Sequence, residues 1–356
     1  MNVRRNAIVA GIATVLALCL TGVLPAHASD PAAATKAAGW VAQQSIDDPA
    51  KATDALVALA AANDPATAPA VEKLTAVLTG KGKDYAAGSP EAAAKVAVAL
   101  ESVGQDPRTA AGADLIAAVK GGIAADGSFG SYPGPFATGL AAVALTRADE
   151  AVPDALGSKL LTFQNADGGF TYEAGQPSDA DSTALAMQAL SALGDQDNLD
   201  KAIAWAQANV QADGSFAGFN PVNSTAVMAA ALAPTGQNVA DSVAYLVGQQ
   251  QPGGAFQNAG ADDLLATAQA TLGLAGVSYL DAAWSEAPSP SPTATPAGTT
   301  GPAASPGATA GATPAPTGAP TATAPGGVDP SGWFGPAAAV LVLAGAAVVG
   351  FRSRAS

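Results

Sequence analysis

The chain has 356 residues, a formal net charge of −14, 12% charged and 5% aromatic side chains, one Cys and one His. Such excess acid argues against nucleic acid as a partner, because phosphate binding needs clustered Lys and Arg. A single Cys excludes a disulfide framework and any multi-Cys zinc site, while Ala, at about a quarter of the residues, lies far above ordinary usage.

Arg4 and Arg5 precede an apolar run from Ala7 to Leu24, and Ala26-His27-Ala28 follows. A positive start, a short apolar core and a small-x-small site predict a secretory signal peptide over residues 1–28. Leu18 stands before Cys19, where a lipobox needs Gly or Ala. Cleavage after Ala28 removes Cys19 and His27 together, so the mature chain has neither.

Residues 29–285 carry 11 basic and 27 acidic side chains, a net of −16. One phrase recurs there. It reads Ala125-Asp126-Gly127-Ser128-Phe129, Ala166-Asp167-Gly168-Gly169-Phe170, Ala212-Asp213-Gly214-Ser215-Phe216 and, more weakly, Pro252-Gly253-Gly254-Ala255-Phe256. A period near 40 residues marks a repeat architecture. Each unit predicts two helices, such as Leu156 to Phe163 and Thr183 to Leu193, with Leu185, Ala189, Leu190 and Leu193 along one face and Gly194 as the stop. Two earlier stretches, Ala37 to Ala62 and Val71 to Val103, fit the period without the phrase, with second helices starting near Thr53 and Glu91. The expectation is all-α: six helical hairpins closed into a ring.

Residues 286–331 are almost wholly Pro, Thr, Ala, Ser and Gly, with Glu286 and Asp329 the only charges. That composition predicts a disordered stalk. Trp333 to Phe351 holds no charged residue, so residues 332–351 predict one transmembrane helix. Interfacial Trp333 and Phe334 and the trailing Arg352 and Arg354 orient it with a cytoplasmic tail at 352–356 and the ring outside. No LPxTG motif precedes it. Ala richness and this anchor style suggest a high-GC Gram-positive source.

Lys159-Leu160-Leu161-Thr162-Phe163-Gln164, running into Asn165-Ala166-Asp167-Gly168-Gly169-Phe170, resembles the repeat of terpenoid cyclases and protein prenyltransferases. That repeat combines a basic residue, a Gln and a Gly-x-aromatic ending. The Gln164 position recurs as Gln207 or Gln211 and as Gln249 or Gln250. The resemblance covers residues 36–280 and implies an alpha-alpha toroid of six inner and six outer helices. Transcobalamin, intrinsic factor and complement thioester domains share that toroid. Fold is silent about function.

Asp179-Ala180-Asp181-Ser182-Thr183-Ala184 resembles the Asp-x-Asp-Asp-Thr-Ala acid motif of squalene-type cyclases. Carried over by position, Asp181 is the candidate proton donor and Asp179 its neighbour, with Ser182 replacing the last Asp. Cyclases line the cavity with aromatic faces, whereas Trp within residues 29–285 is confined to Trp40, Trp205 and Trp284; they also carry a second toroid-like domain. The competing reading is that Asp181, Ser182 and Thr183 cap a helix, as Asn223-Ser224-Thr225 does one repeat later. Zinc, thioester and Ser-His-Asp chemistries fail for want of Cys and His. Carboxylate-only catalysis stays open, with no spacing that singles out a pair. One Asp per turn is too sparse for calcium, so neither metal nor cofactor is expected.

Binding remains. In such toroids the mouth lies at the starts of the inner helices, where loops present Tyr132, Tyr172, Asp179, Asp181, Phe219, Asn220, Asn223, Gln257, Asn258, Asp262 and Asp263. This set suits a polar small molecule, a glycan or a surface protein. The expectation is a membrane-anchored, non-catalytic binding ring at the cell surface. A cyclase-like enzyme using Asp181 and a structural or adhesive spacer are the alternatives.

Overall fold

Prolines, short polar caps and glycines punctuate residues 29–285, the part described by the computed structural model, into twelve α-helices. The predicted signal peptide, stalk, membrane helix and tail lie outside the described residues. The helices alternate in role. Outer α1 (Pro31–Ala42), α3 (Ala68–Ala86), α5 (Leu115–Gly121), α7 (Asp154–Leu161), α9 (Gln196–Asn209) and α11 (Ala240–Gln249) each precede an inner partner. The inner helices are α2 (Pro49–Ala62), α4 (Pro90–Glu101), α6 (Pro135–Arg147), α8 (Ala180–Leu193), α10 (Pro221–Leu232) and α12 (Leu264–Ala275). A short hairpin, β1 (Phe256–Asn258) and β2 (Ala261–Asp263), leads into α12. Five helices open on proline, whose missing N–H costs nothing at a first turn.

Each inner helix packs on the next, and α12 returns to α2, so the six form a closed ring. They are buried almost all round, as α10 illustrates from Ser224 to Leu232. Such helices carry apolar residues on every side, whereas outer helices such as α11 bury only a stripe. Small residues let the inner helices approach closely. Gly139 of α6 lies on the Leu185 carbonyl of α8, and Gly273 of α12 lies against the Ala226 backbone of α10.

The recurring phrase is the joint between units. In all four copies one tight turn forms, with Gly127, Gly168, Gly214 and Gly254 at φ between 80° and 100°. Ser128, Gly169 and Ser215 amides donate to Asp126, Asp167 and Asp213 Oδ1 at 3.0–3.1 Å. The four glycines abut the backbone of the following outer helix at Ala155, Lys201, Asp241 and, closing the circle, Lys36. Phe129, Phe170, Phe216 and Phe256 are all buried. The amides of the last three donate to Thr183, Thr225 and Thr267 Oγ1 of the inner helix, each at 2.9 Å. A buried amide left without its acceptor costs about 1–3 kcal/mol. Thr225→Val, nearly isosteric, is therefore expected to destabilise the ring by that amount in urea unfolding, while Thr79→Val on exposed α3 leaves it unchanged.

Boundaries shift in detail. The first two inner helices start at Pro49 and Pro90, ahead of Thr53 and Glu91. The Gln164 amide donates to the Gly168 and Asn198 carbonyls, and Gln250 makes the matching bonds to Gly254 and Ala33. The third copy has Val210 at that position, four residues before Gly214, so neither Gln207 nor Gln211 is its equivalent. Instead Gln211 accepts from Ser215 Oγ within the turn (2.9 Å).

Candidate functional site

All six inner helices begin at one end of the ring, where their positive dipole ends gather. Asp48, Ser89, Asp179, Asn220 and Asp263 cap five of them by accepting a first-turn amide. Part of the acidity at this entry end is thus cap chemistry. The caps differ from the predicted ones. Asp179 Oδ1 takes the Ser182 amide at 2.7 Å, so α8 starts at Ala180 and Asp181 falls in its first turn instead of capping it. Likewise Asn220, not Asn223, caps α10. The cap must precede the helix, and both helices begin earlier than their apolar period suggests.

Asp181 turns towards α10, where Ser224 Oγ donates to its Oδ2 at 2.8 Å. Gly218 packs over this pair, too close for a Cβ. Burial pushes the Asp181 carboxyl up to about 6, with Ser224 pulling against the shift and Asp179 adding to it. Burial also raises Asp179, opposed by the Ser182 hydrogen bonds. Asn223 Nδ2 donates to Gln269 Oε1 on α12 (2.6 Å), and Gln269 in turn is bonded to the Tyr279 hydroxyl. Asp262 accepts from Gln257 Nε2 across the hairpin (3.0 Å). Asn258 pairs with Ala261 in that hairpin. Tyr132, Tyr172 and Phe219 stand out in solvent. The entry end therefore brings together Asp179 with Asp181 and Asn223 with Gln269, and spreads the other predicted residues around a rim. Asn220 Nδ2 and Asn223 Oδ1 are buried and find no hydrogen-bond partner among the described residues.

Sequence reasoning missed what fills the axis. Lys95 Nζ of α4 lies 3.4 Å from Asp54 Oδ1 of α2, with side chains only 6% and 8% exposed. Burial pushes Asp54 up to about 6 against the pull of Lys95. Burial likewise lowers Lys95 against the pull of Asp54. Thr53, Val57, Val98, Leu140 and Tyr279 complete the wall of a cavity of about 10 Å³, room for one water at most. The signal was present, since Lys95 and Asp54 interrupt runs of Ala, Val and Leu.

Tyr279 belongs to a strap, residues 277–285, that crosses the far end of the ring. Its amide donates to Gln188 Oε1 (2.9 Å). Arg147, at the end of α6, donates to the carbonyls of Tyr279, Leu280 and Ala282 at 2.7–3.1 Å. Arg147 Nε also faces Glu101 at 3.8 Å, and burial pushes that carboxyl up to about 8 despite the guanidinium. The Trp284 amide reaches the Ser102 carbonyl (2.7 Å), and Ser285 exchanges two bonds with Asn63. An open concavity of about 620 Å³, lined in part by Gln176, Ser178, Trp205 and Asn209, lies beside the Tyr172 loop on the outer rim.

Solved structures place this architecture. The chain is similar to the type II terpene cyclase MstE from Scytonema in complex with geranylgeranyl dihydroxybenzoate, its substrate (TM-score 0.55, 15% identity, 69% of this chain and 96% of that one). The apo form of that cyclase matches at TM-score 0.54, 16% identity, 68% and 96% coverage. A protein from Actinoplanes matches at TM-score 0.54, 17% identity, 69% and 99% coverage. No protein-family model and no curated protein matches the sequence. The described chain has the alpha-alpha toroid fold of type II terpene cyclases. The expected second domain is no general requirement of such cyclases, since this one ring spans nearly all of MstE.

Proposed function

We propose that residues 29–285 form a non-catalytic recognition ring, exported and carried outside the membrane on the Pro/Thr stalk and its C-terminal helix. The supporting observation is the axis. A ring that encloses a reaction needs a substrate-sized space there, and this one is occupied by Asp54, Lys95 and the inserted Tyr279 around about 10 Å³. Recognition then falls to the entry end, where Asn220 and Asn223 keep unbonded polar atoms beside Asp179 and Asp181.

One observation favours the cyclase alternative. Asp181 is held by a hydroxyl and protonates near pH 6, the property a general acid requires. Turnover assays with geranylgeranyl substrates on wild type and Asp181→Asn separate the two. The recognition reading expects no cyclised product from either. It also expects a rise in melting temperature with a small polar molecule, a glycan or a peptide of a partner protein, because ligand binding stabilises the native state. Product from wild type that disappears in Asp181→Asn overturns it. No thermal response to any ligand, with no product, leaves the ring a spacer and overturns it as well.

A further inference from the structure

Exposed apolar side chains are not scattered over this ring. Among the described residues the large ones are Tyr132, Tyr172, Val210, Phe219 and Val247. Tyr132, Tyr172 and Phe219 sit on the successive loops that enter α6, α8 and α10, and are 70%, 39% and 58% exposed. Val210 and Val247 lie at the ends of α9 and α11, which finish where their inner partners begin. All five therefore share the entry end, while the far end is covered by the strap. Clustered exposed aromatics on one face mark an interaction surface.

Charge says what meets them. The four long entry loops, residues 122–134, 162–179, 210–220 and 250–263, contain seven Asp or Glu and no Lys or Arg. No basic residue occurs at all between Lys201 and Ser285. Asp126 and Asp213 are held below the usual carboxylate range by Ser128 and Ser215, so they stay charged into acid. Anionic partners are repelled by such a rim. Cations gain twice, from the carboxylates and from the faces of the rings. Neighbouring inner helices stand about 8–10 Å apart, so around a six-membered ring the three aromatic loops span roughly 14–17 Å. That is too wide for one small cation and matches about four or five extended residues.

We infer that the entry end docks a basic peptide segment of a partner protein, with Lys or Arg side chains seated on Tyr132, Tyr172 and Phe219. The inference rests on the recognition reading and names its partner. The loops resemble a binding paratope in composition, with Tyr, Ser, Gly and Asn around a few aromatic anchors.

The test is binding of a fluorescent hepta-arginine peptide to the full chain, followed by anisotropy. Tyr132→Ala/Tyr172→Ala/Phe219→Ala keeps the net charge and replaces no buried residue. It is expected to weaken the peptide by about tenfold or more while the melting temperature stays that of wild type. A hepta-glutamate peptide is expected not to bind. Absence of hepta-arginine binding, or equal binding by the triple variant, overturns the proposal, the latter by reducing the effect to bulk charge. Neither result bears on the turnover assay with Asp181→Asn, which tests the recognition reading by itself.

Discussion

Lys95→Met is expected to cost the ring about 3–5 kcal/mol at neutral pH, because it leaves the Asp54 carboxylate buried and unpaired on the axis. Equilibrium urea unfolding measures this directly. Asp54→Leu/Lys95→Met together is expected to recover most of the loss or more, since two apolar groups dispense with both desolvation penalties. The pH dependence fixes the cause. Asp54 already titrates near 6 in the folded wild type, above its ordinary value of 3.8, and removing Lys95 raises it further. A carboxyl that holds its proton more tightly when folded favours the folded state at low pH. That advantage fades as pH rises from about 4 through the folded value. The single variant is therefore expected to be closer to wild type at pH 5 than at pH 8. A uniform deficit across that range would show that packing, not charge, accounts for the loss.

Tyr279→Ala is the second large effect, about 3–5 kcal/mol, the ordinary cost of emptying a large buried aromatic site. Tyr279 is 5% exposed, seals the axial cavity and holds Gln269 by its hydroxyl. Tyr279→Phe keeps the ring and removes only the hydroxyl, so it is expected to cost about 1–3 kcal/mol for the polar partner left behind. Thermal unfolding of both variants grades the contributions. Melting of Tyr279→Ala at the wild-type temperature would mean that the strap contributes nothing to closure.

The ring itself is legible in the sequence because its joints are short-range chemistry. Asp and Gly make the same turn wherever they recur, and the Phe that follows is buried each time. The hairpin count follows from that spacing. Cap positions are less legible, because Asp179 and Asp181 differ by two residues and only the start of α8 decides which one caps. The partners of Asp181 and Asn223 lie 43 and 46 residues away on neighbouring helices. No local pattern announces such pairs. The axial residues are least legible. Lys95 and Asp54 stand out as charges in apolar runs, but their meeting depends on which faces of α2 and α4 turn inward. Residues 277–285 carry no helical period and become intelligible only through Arg147, 132 residues upstream of the first carbonyl it binds.

The return of α12 to α2 changes how the chain comes to be folded. An open array of hairpins can zip from any point, each unit stabilised by its neighbour. A closed circle has no terminal units and cannot gain or lose one without changing its curvature. Its seam joins the two ends of the described residues, since Gln250 Nε2 bonds Ala33, Asp30 bonds Leu274, and Ser285 bonds Asn63. At synthesis rates of about 5–20 residues per second, more than 200 residues of delay leave the first hairpin waiting roughly 10–40 s for its mate. Through that interval the apolar flank of α2 has nothing to cover it, so the burden of late assembly rests on the earliest-made part of the chain.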